Sequence, residues 1–155
     1  KVGDLFPIFF VKSVIGSFKS AWNIEKKRLK NKNYFVYGLR NQVILLDSLS
    51  VILSLFIYWI YDFQSFLFYL LQSFISIVIL EDVNYIEHYG LCRNKIGPNQ
   101  YEKVNVLHSW NADKIITNYL SFKLQRHSDH HVNALKSYQL LNRCEISPQM
   151  PTGYE

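Results

Sequence analysis

Two long apolar segments lie near the centre of the chain, with polar and basic sequence on both sides. Residues 43–61 are almost entirely apolar, and residues 66–80 are interrupted only by one glutamine and two serines. A helix needs about 20 residues to cross the hydrocarbon core of a bilayer. The second segment reaches this length over residues 62–83. We predict a transmembrane helical hairpin, with two buried helices of a soluble core as the alternative.

Basic residues predict how this hairpin is oriented. Lysines and arginines crowd residues 26–40 and recur after residue 92, whereas the link at residues 62–64 has none. Because basic residues favour the cytoplasmic side, both flanks are expected in the cytoplasm and the link outside. The net charge of +5 fits this interpretation better than nucleic-acid binding, since no basic stripe interleaves with aromatic residues in a recognisable binding module.

An amphipathic helix is predicted ahead of the hairpin, at about residues 4–31. Its apolar positions are largely aromatic, and its end is rich in lysine and arginine, which the helix dipole favours there. A helix at the membrane interface fits this pattern, and a soluble helix with a solvated charge run is the alternative. Polar positions on shared sides of the two spans indicate either helix packing or a substrate channel: Asp47, Ser50 and Ser54, then Gln72 and Ser76.

Candidate chemistry is concentrated in the histidines, none of which precedes His88. His127, His130 and His131 stand at i, i+3 and i+4, positions that share one face of a helix, so their imidazoles can converge on one point. Imidazole is the commonest protein ligand for zinc, copper and iron. A metal site is one interpretation, and a histidine-rich solvated face is the other.

The carboxylates beside these histidines have candidate supporting functions. Asp129 could accept the second ring N–H of a ligating histidine. Glu87 is either such an acceptor or a solvated charge. Cys92 and Cys144 form no CxxC pair, so the chain encodes neither a zinc knuckle nor a rubredoxin-type iron site.

Residues after Gly90 predict shorter elements. Residues 97–100, with sequence GPNQ, indicate a turn, and residues 101–106 indicate an extended segment. Residues 111–141 have a helical pattern, in one or two pieces, which carries the histidine cluster.

Four motifs follow one another in the order NYIEHYGL (84–91), HSWN (108–111), LQRHSDHH (124–131) and PTGY (151–154). Together they resemble the C-terminal part of the integral-membrane alkane 1-monooxygenases, the non-haem di-iron alkane hydroxylases. A bare HxxHH motif also occurs in membrane desaturases and sterol hydroxylases, but the extended motifs are specific to a smaller group of enzymes. The upstream boxes of that family, HExxxH and ExHxxGHH, do not occur in this sequence.

We therefore expect an all-α integral membrane protein whose residues 1–155 form the C-terminal part of one desaturase/hydroxylase-like domain. The transmembrane hairpin leads into a cytoplasmic, histidine-rich helical region at residues 84–155, within a larger helical bundle. The isolated chain is expected to be inactive and to bind iron weakly, since four ligands cannot hold two iron ions in an all-histidine environment.

The resemblance implies O₂-dependent hydroxylation of alkanes to primary alcohols at two iron ions, in the bacterial inner membrane. It implies His88, His127, His130 and His131 as ligands, with Asp129 and Glu87 beside them. His108 is expected either to support the centre from outside the ligand shell or to cap the following helical region.

Electrons would come from rubredoxin, reduced by a flavin-dependent reductase. An acidic partner could dock on Arg93, Lys95, Lys103 and Lys114, although the cytoplasmic preference of basic residues also accounts for some of them. Two other functions stay open. One is a fatty-acyl desaturase or aromatic-methyl hydroxylase of the same superfamily, and the other is a non-catalytic membrane segment with a zinc or empty histidine cluster.

Overall fold

Helices make up most of the structure, a computed structural model that describes residues 3–98 and 100–151. Three long helices come first: α1 (Phe6–Asn31), α2 (Gln42–Ile60) and α3 (Phe63–His88). Shorter elements follow them: β1 (Lys95–Gly97), β2 (Gln100–Tyr101), a 3₁₀ turn (Val106–His108), α4 (Ile115–Leu120), α5 (His127–Val132) and a second 3₁₀ turn (Tyr138–Leu140). The predicted fold class is confirmed, with a two-stranded antiparallel hairpin as the β structure of the described residues.

The chain divides into two compact units. Residues 7–81 form a helical unit, and residues 82–155 with the first six residues form a histidine unit. Helix α3 is continuous through this boundary and ends at His88, so it extends beyond the predicted end of the second span at residue 83.

Helices α2 and α3 are both long and apolar enough to cross a membrane. Their large side chains are widely exposed, for example Trp59 at 78% and Phe68 at 72%. A core helix of a soluble protein would instead bury its apolar face. The exposure therefore favours the membrane hairpin over the soluble alternative.

Side-chain caps begin both apolar helices. Asn41 is fully buried, and its Oδ1 accepts hydrogen bonds from the amides of Val43 (3.0 Å) and Ile44 (3.3 Å). Asp62 accepts one from the amide of Ser65 at 2.7 Å. These bonds satisfy amides that have no partner within the first turn of a helix, so they fix where α2 and α3 begin.

Serines inside the spans bond to their own helices. The hydroxyls of Ser50, Ser54 and Ser76 donate to the carbonyls of Leu46, Val51 and Gln72 at 2.7–3.0 Å. Such back-bonding satisfies a hydroxyl without a partner from another helix. The hydroxyls are therefore tolerated in an apolar environment.

A buried carboxylate joins α1 to the start of α2. Glu25 accepts two hydrogen bonds from the guanidinium of Arg28, both at 2.6 Å, and one from the amide of Gln42 at 2.8 Å. The hydrogen bonds from Arg28, followed by that from Gln42, lower the pKa of Glu25 to about 2. Arg28 also donates to the carbonyl of Arg40 at 3.0 Å, so the pair also anchors the loop between the helices.

The histidine unit contains less helix than residues 111–141 predict. Phe122 and Lys123 follow α4 with φ angles of 51° and 57°, and such left-handed residues cannot continue a helix. The extended segment expected at residues 101–106 is also shorter than predicted. Strand β2 ends at Tyr101, and a 3₁₀ turn begins at Val106. Asn99 in the predicted turn, and the PTGY motif from Thr152 onward, lie outside the described residues.

Glu25→Gln is expected to lower the melting temperature of the protein at neutral pH, because the amide loses the ionic bonds to Arg28. In the wild type this stabilisation is complete above about pH 4.5 and is lost as pH falls towards 2. Thermal unfolding in detergent across that range would measure it. Lys27→Gln, at an exposed position on the same helix, is the control, and equal melting temperatures for both variants would contradict this assignment.

Candidate metal centre

Three imidazole nitrogens from two helices converge at the end of α3. His88 is the last residue of α3, whereas His127 and His131 lie one turn apart on α5. The Nε2 atoms of His127 and His131 are 2.7 Å apart, and each lies 3.2 Å from the Nε2 atom of His88. The arrangement brings together two segments about 40 residues apart in the sequence.

The triangle of nitrogens has the size that a single metal ion requires. A circle through points with these separations has a radius of about 1.8 Å, slightly shorter than a zinc–imidazole bond of roughly 2.0–2.1 Å. An ion just above the plane of the three atoms can therefore contact all of them. A set of imidazole donors suits zinc, copper, iron or nickel, so the residues fit a transition metal.

The backbone fixes the tautomer of His88. Its Nδ1 atom lies 3.2 Å from the carbonyl oxygen of His108. A carbonyl can only accept a hydrogen bond, so Nδ1 carries the proton and the Nε2 lone pair is directed towards the other two histidines. Metal-binding histidines are commonly oriented in this way.

His127 and His131 are held in the neutral form. Burial, followed by repulsion from the neighbouring imidazoles, lowers the pKa of His127 to about 3. Burial is also the main cause that lowers the pKa of His131. Neutral imidazole is the form that binds metals, so the site needs no deprotonation at neutral pH.

Glu87 lies directly beside the three nitrogens. Its side chain is 3% exposed, and its Oε2 atom is 3.1 Å from Nε2 of His127. Of the two alternatives for Glu87, the burial excludes the solvated charge. Burial raises the pKa of Glu87 to about 8, so the carboxyl is largely protonated at neutral pH without a bound cation. It lies at the converging nitrogen of His127 rather than at the outer one, and a cation in the site would favour its ionised form.

Asp129 has a different set of partners from the predicted one. Its carboxylate accepts hydrogen bonds from Lys136 Nζ (2.7 Å), Asn133 Nδ2 (2.8 Å) and the amide of Asn142 (2.7 Å). Two positions from His127 and two from His131, it points to the other side of α5. Burial raises its pKa, but these hydrogen bonds outweigh that effect and hold the pKa below its ordinary value. Asp129 therefore secures the loop after α5 instead of orienting a histidine.

His130 lies beside the group of three rather than within it. Its ring centroid is 6.1 Å from that of His127 and 5.9 Å from that of His131. The described residues whose donor atoms all lie within 4.8 Å of one another are His88, His127 and His131. The three imidazoles of α5 therefore do not converge on one point as the spacing predicts, because His88 takes the third position. His130 as a ligand stays a prediction.

His108 supports the centre through its carbonyl oxygen, whereas its side chain caps the 3₁₀ turn that it ends rather than the following helical region. Its Nδ1 atom accepts a hydrogen bond from the amide of Asn105 at 3.0 Å, and its Nε2 atom lies 3.1 Å from Glu102 Oε1. The ring thereby caps the 3₁₀ turn Val106–His108. Both ring nitrogens are engaged, and the residue contacts His88 through its carbonyl oxygen.

Sequence reasoning did not single out Asn111, a buried residue that contacts the start of α5. The available signal was its place in the HSWN motif next to His108. Nothing in local spacing connects it to α5, because the contact spans 17 residues.

A membrane-length helix that ends at a cluster of three histidines characterises this protein. The sequence model of the fatty acid desaturase family matches residues 2–154, and the chain belongs to that family.

Curated relatives confirm the resemblance to the alkane 1-monooxygenases. Alkane 1-monooxygenase 1 of Pseudomonas aeruginosa is 43% identical over 89% of this chain and 36% of its own length. Alkane 1-monooxygenase 2 of Alcanivorax borkumensis is 40% identical over 94% of this chain and 38% of its own length. The hydroxylase component XylM of the xylene/toluene monooxygenase of Pseudomonas putida is 26% identical over 97% of this chain. The chain spans little more than a third of the length of these relatives.

Alanine substitution of His88, His127 or His131 is expected to weaken metal binding at least tenfold, because even the loss of an outer partner costs about 10–100-fold. His130→Ala should weaken it too, as the resemblance implies. His108→Ala should be milder, since the carbonyl that holds His88 remains. Metal analysis and competition titration of the purified full-length protein would measure these effects. Wild-type affinity in a variant would remove that histidine from the site.

Proposed function

We propose that this chain supplies part of the metal site of a membrane-bound alkane 1-monooxygenase. The reaction would insert one oxygen atom from O₂ into a terminal C–H bond of an alkane, giving a primary alcohol. The observation that carries this proposal is the convergence of three imidazole nitrogens at the end of a membrane-length helix. Identity of 43% to an alkane 1-monooxygenase supports the choice of substrate class.

Iron is the proposed metal, as two ions per active site. His88, His127 and His131 would hold one ion, and His130 is the proposed further ligand. When bound, iron would supply the reduction of O₂ and the oxidation of the methyl group. The donor set does not select iron, since copper and zinc bind such ligands more tightly than Fe²⁺. The choice of iron therefore rests on the resemblance of the motifs to the non-haem di-iron alkane hydroxylases.

The remaining ligands would come from the part of the relatives' length that this chain does not span. Within the chain, the carbonyl of His108 orients His88. Glu87 places a buried carboxyl beside the nitrogens, and a bound cation would favour its ionised form. Burial of His127 would limit access of water to a reactive centre.

A membrane location suits an alkane, which partitions into lipid. Helices α2 and α3 would form the spanning hairpin in the bacterial inner membrane, with the histidine unit on the cytoplasmic side. Rubredoxin, reduced by a flavin-dependent reductase, is the proposed electron donor. Four exposed basic residues could form its docking face: Arg93, Lys95, Lys103 and Lys114.

Hydroxylation of an aromatic methyl group is the second candidate function, because the match to XylM covers 97% of this chain. That match is weaker in identity, at 26% against 43%. Desaturation of a fatty acyl chain is the further alternative within the family. The three reactions give different products, so one assay separates them.

The full-length protein in nanodiscs, loaded with Fe²⁺ and supplied with rubredoxin, reductase and NADH, should convert octane to 1-octanol. His131→Ala should reduce the product to background, and Lys27→Gln is the control that should keep full activity. Gas chromatography with parallel incubations on xylene and a fatty acyl substrate would identify the reaction. Product from xylene or the acyl chain alone would support the alternative, and the 155-residue chain by itself should give no product.

A cysteine at Gln64 is expected to react with a membrane-impermeant maleimide in intact spheroplasts. The link that contains it has no basic residues and is therefore expected outside the cytoplasm. The native Cys92 is exposed and serves as the internal control, with Cys144 replaced by serine. Cys92 should react only after the membrane is permeabilised. The opposite labelling pattern would reverse the proposed topology.

A further inference from the structure

A short extended segment contacts both elements that carry the three histidines. Residues 108–112, here called the strap, run beside the end of α3 and the start of α5. The carbonyl of His108 accepts from His88 Nδ1 at 3.2 Å, and the amide of Trp110 donates to the carbonyl of Glu87 at 2.8 Å. The amide of Ala112 then donates to the carbonyl of Gln125 at 3.0 Å. The strap is therefore hydrogen-bonded both to the end of α3 and to Gln125, two residues before α5 begins.

Asn111 is the strap residue whose side chain enters α5. It is 3% exposed, and its Oδ1 accepts from the amide of Ser128 at 2.9 Å. Its Nδ2 donates to the hydroxyls of Ser128 at 2.7 Å and Ser147 at 2.8 Å. Its backbone amide and carbonyl bond to Pro148 and Met150 at 2.8 and 2.7 Å. All of its polar groups are thus engaged, and together they join three segments.

The bond to Ser128 replaces a missing local cap. Helix α5 begins at His127, and Arg126 at the capping position makes no side-chain hydrogen bond to the first turn. Asn111 supplies the acceptor that a capping asparagine normally supplies from its own helix. A six-residue helix is too short to be stable alone, so its placement depends on such contacts.

We propose that Asn111 is a positioning residue that sets the separation between His88 and the pair His127 and His131. Its Oδ1 holds the amide of Ser128, the residue after His127. Three residues earlier in the same strap, the carbonyl of His108 holds the ring of His88. The metal-binding consequence rests on the proposed function, whereas the clamp itself does not. Metal sites require ligands placed to within about 0.5 Å, so loosening the start of α5 would disturb the coordination before it unfolds the unit.

Cobalt(II) binding to the full-length protein tests this consequence, because its visible absorption reports ligand geometry. Asn111→Ala should lower the Co²⁺ affinity about tenfold or more and change the absorption bands. Asn111→Asp keeps an acceptor for the Ser128 amide, and the Ser128 hydroxyl can rotate to donate, so it should restore most of both. Asn133→Ala removes an amide at the opposite end of α5 and is the matched control, with wild-type bands expected.

Hydrogen exchange of the metal-free protein tests the clamp separately. Asn111→Ala should lose protection at the Ser128 amide, and Asn111→Asp should keep it. Unchanged protection and unchanged bands in Asn111→Ala would overturn the inference, as would bands in Asn133→Ala that shift equally. If His131→Ala binds Co²⁺ as tightly as the wild type, the proposed metal site is wrong. The hydrogen-exchange result alone then decides whether Asn111 positions α5.

Discussion

The close approach of three imidazole nitrogens is the constraint on which the histidine unit depends. Nitrogen atoms whose lone pairs face one another do not remain within 3.2 Å unless a shared ring proton or a cation lies between them or surrounding groups hold them there. The supporting groups are mainly hydrogen bonds rather than apolar packing. Ala112 and Leu141 are the fully buried apolar residues among the described part of this unit, beside buried polar residues such as Asn111, Gln125 and Ser128.

The stability of this polar interior depends on the hydrogen bonds between its buried groups. A buried polar group left without a partner costs about 1–3 kcal/mol, so each paired group resists displacement. Asn111 illustrates this arrangement, since its side-chain amide bonds to Ser128 and Ser147 from two other segments. The interior therefore specifies one arrangement of the ligands, which an apolar core with interchangeable contacts would do less strictly.

The helical unit follows the opposite rule. Its apolar side chains are exposed, and its polar groups are satisfied locally by caps and back-bonding serines. This combination suits a hydrocarbon solvent, in which an unpaired polar group is costly and an exposed apolar one is not. Glu25 is the exception that ties two helices through charge, at the end of α1 where basic residues predict a polar environment.

Local patterns determined the parts of this protein that depend on neighbours in the sequence. Apolar length alone predicted α2 and most of α3, and the i, i+4 spacing placed His127 and His131 on one face because a helical turn brings such positions together. The four sequence motifs also sufficed to identify the family. Tertiary structure decided the rest. His88 completes the group of three although it is 39 residues from His127 and 43 residues from His131 in the sequence. His130 lies beside this group, and Asp129 bonds to the loop that follows α5. No periodicity encodes these contacts, because they join elements and loops that are distant in the chain.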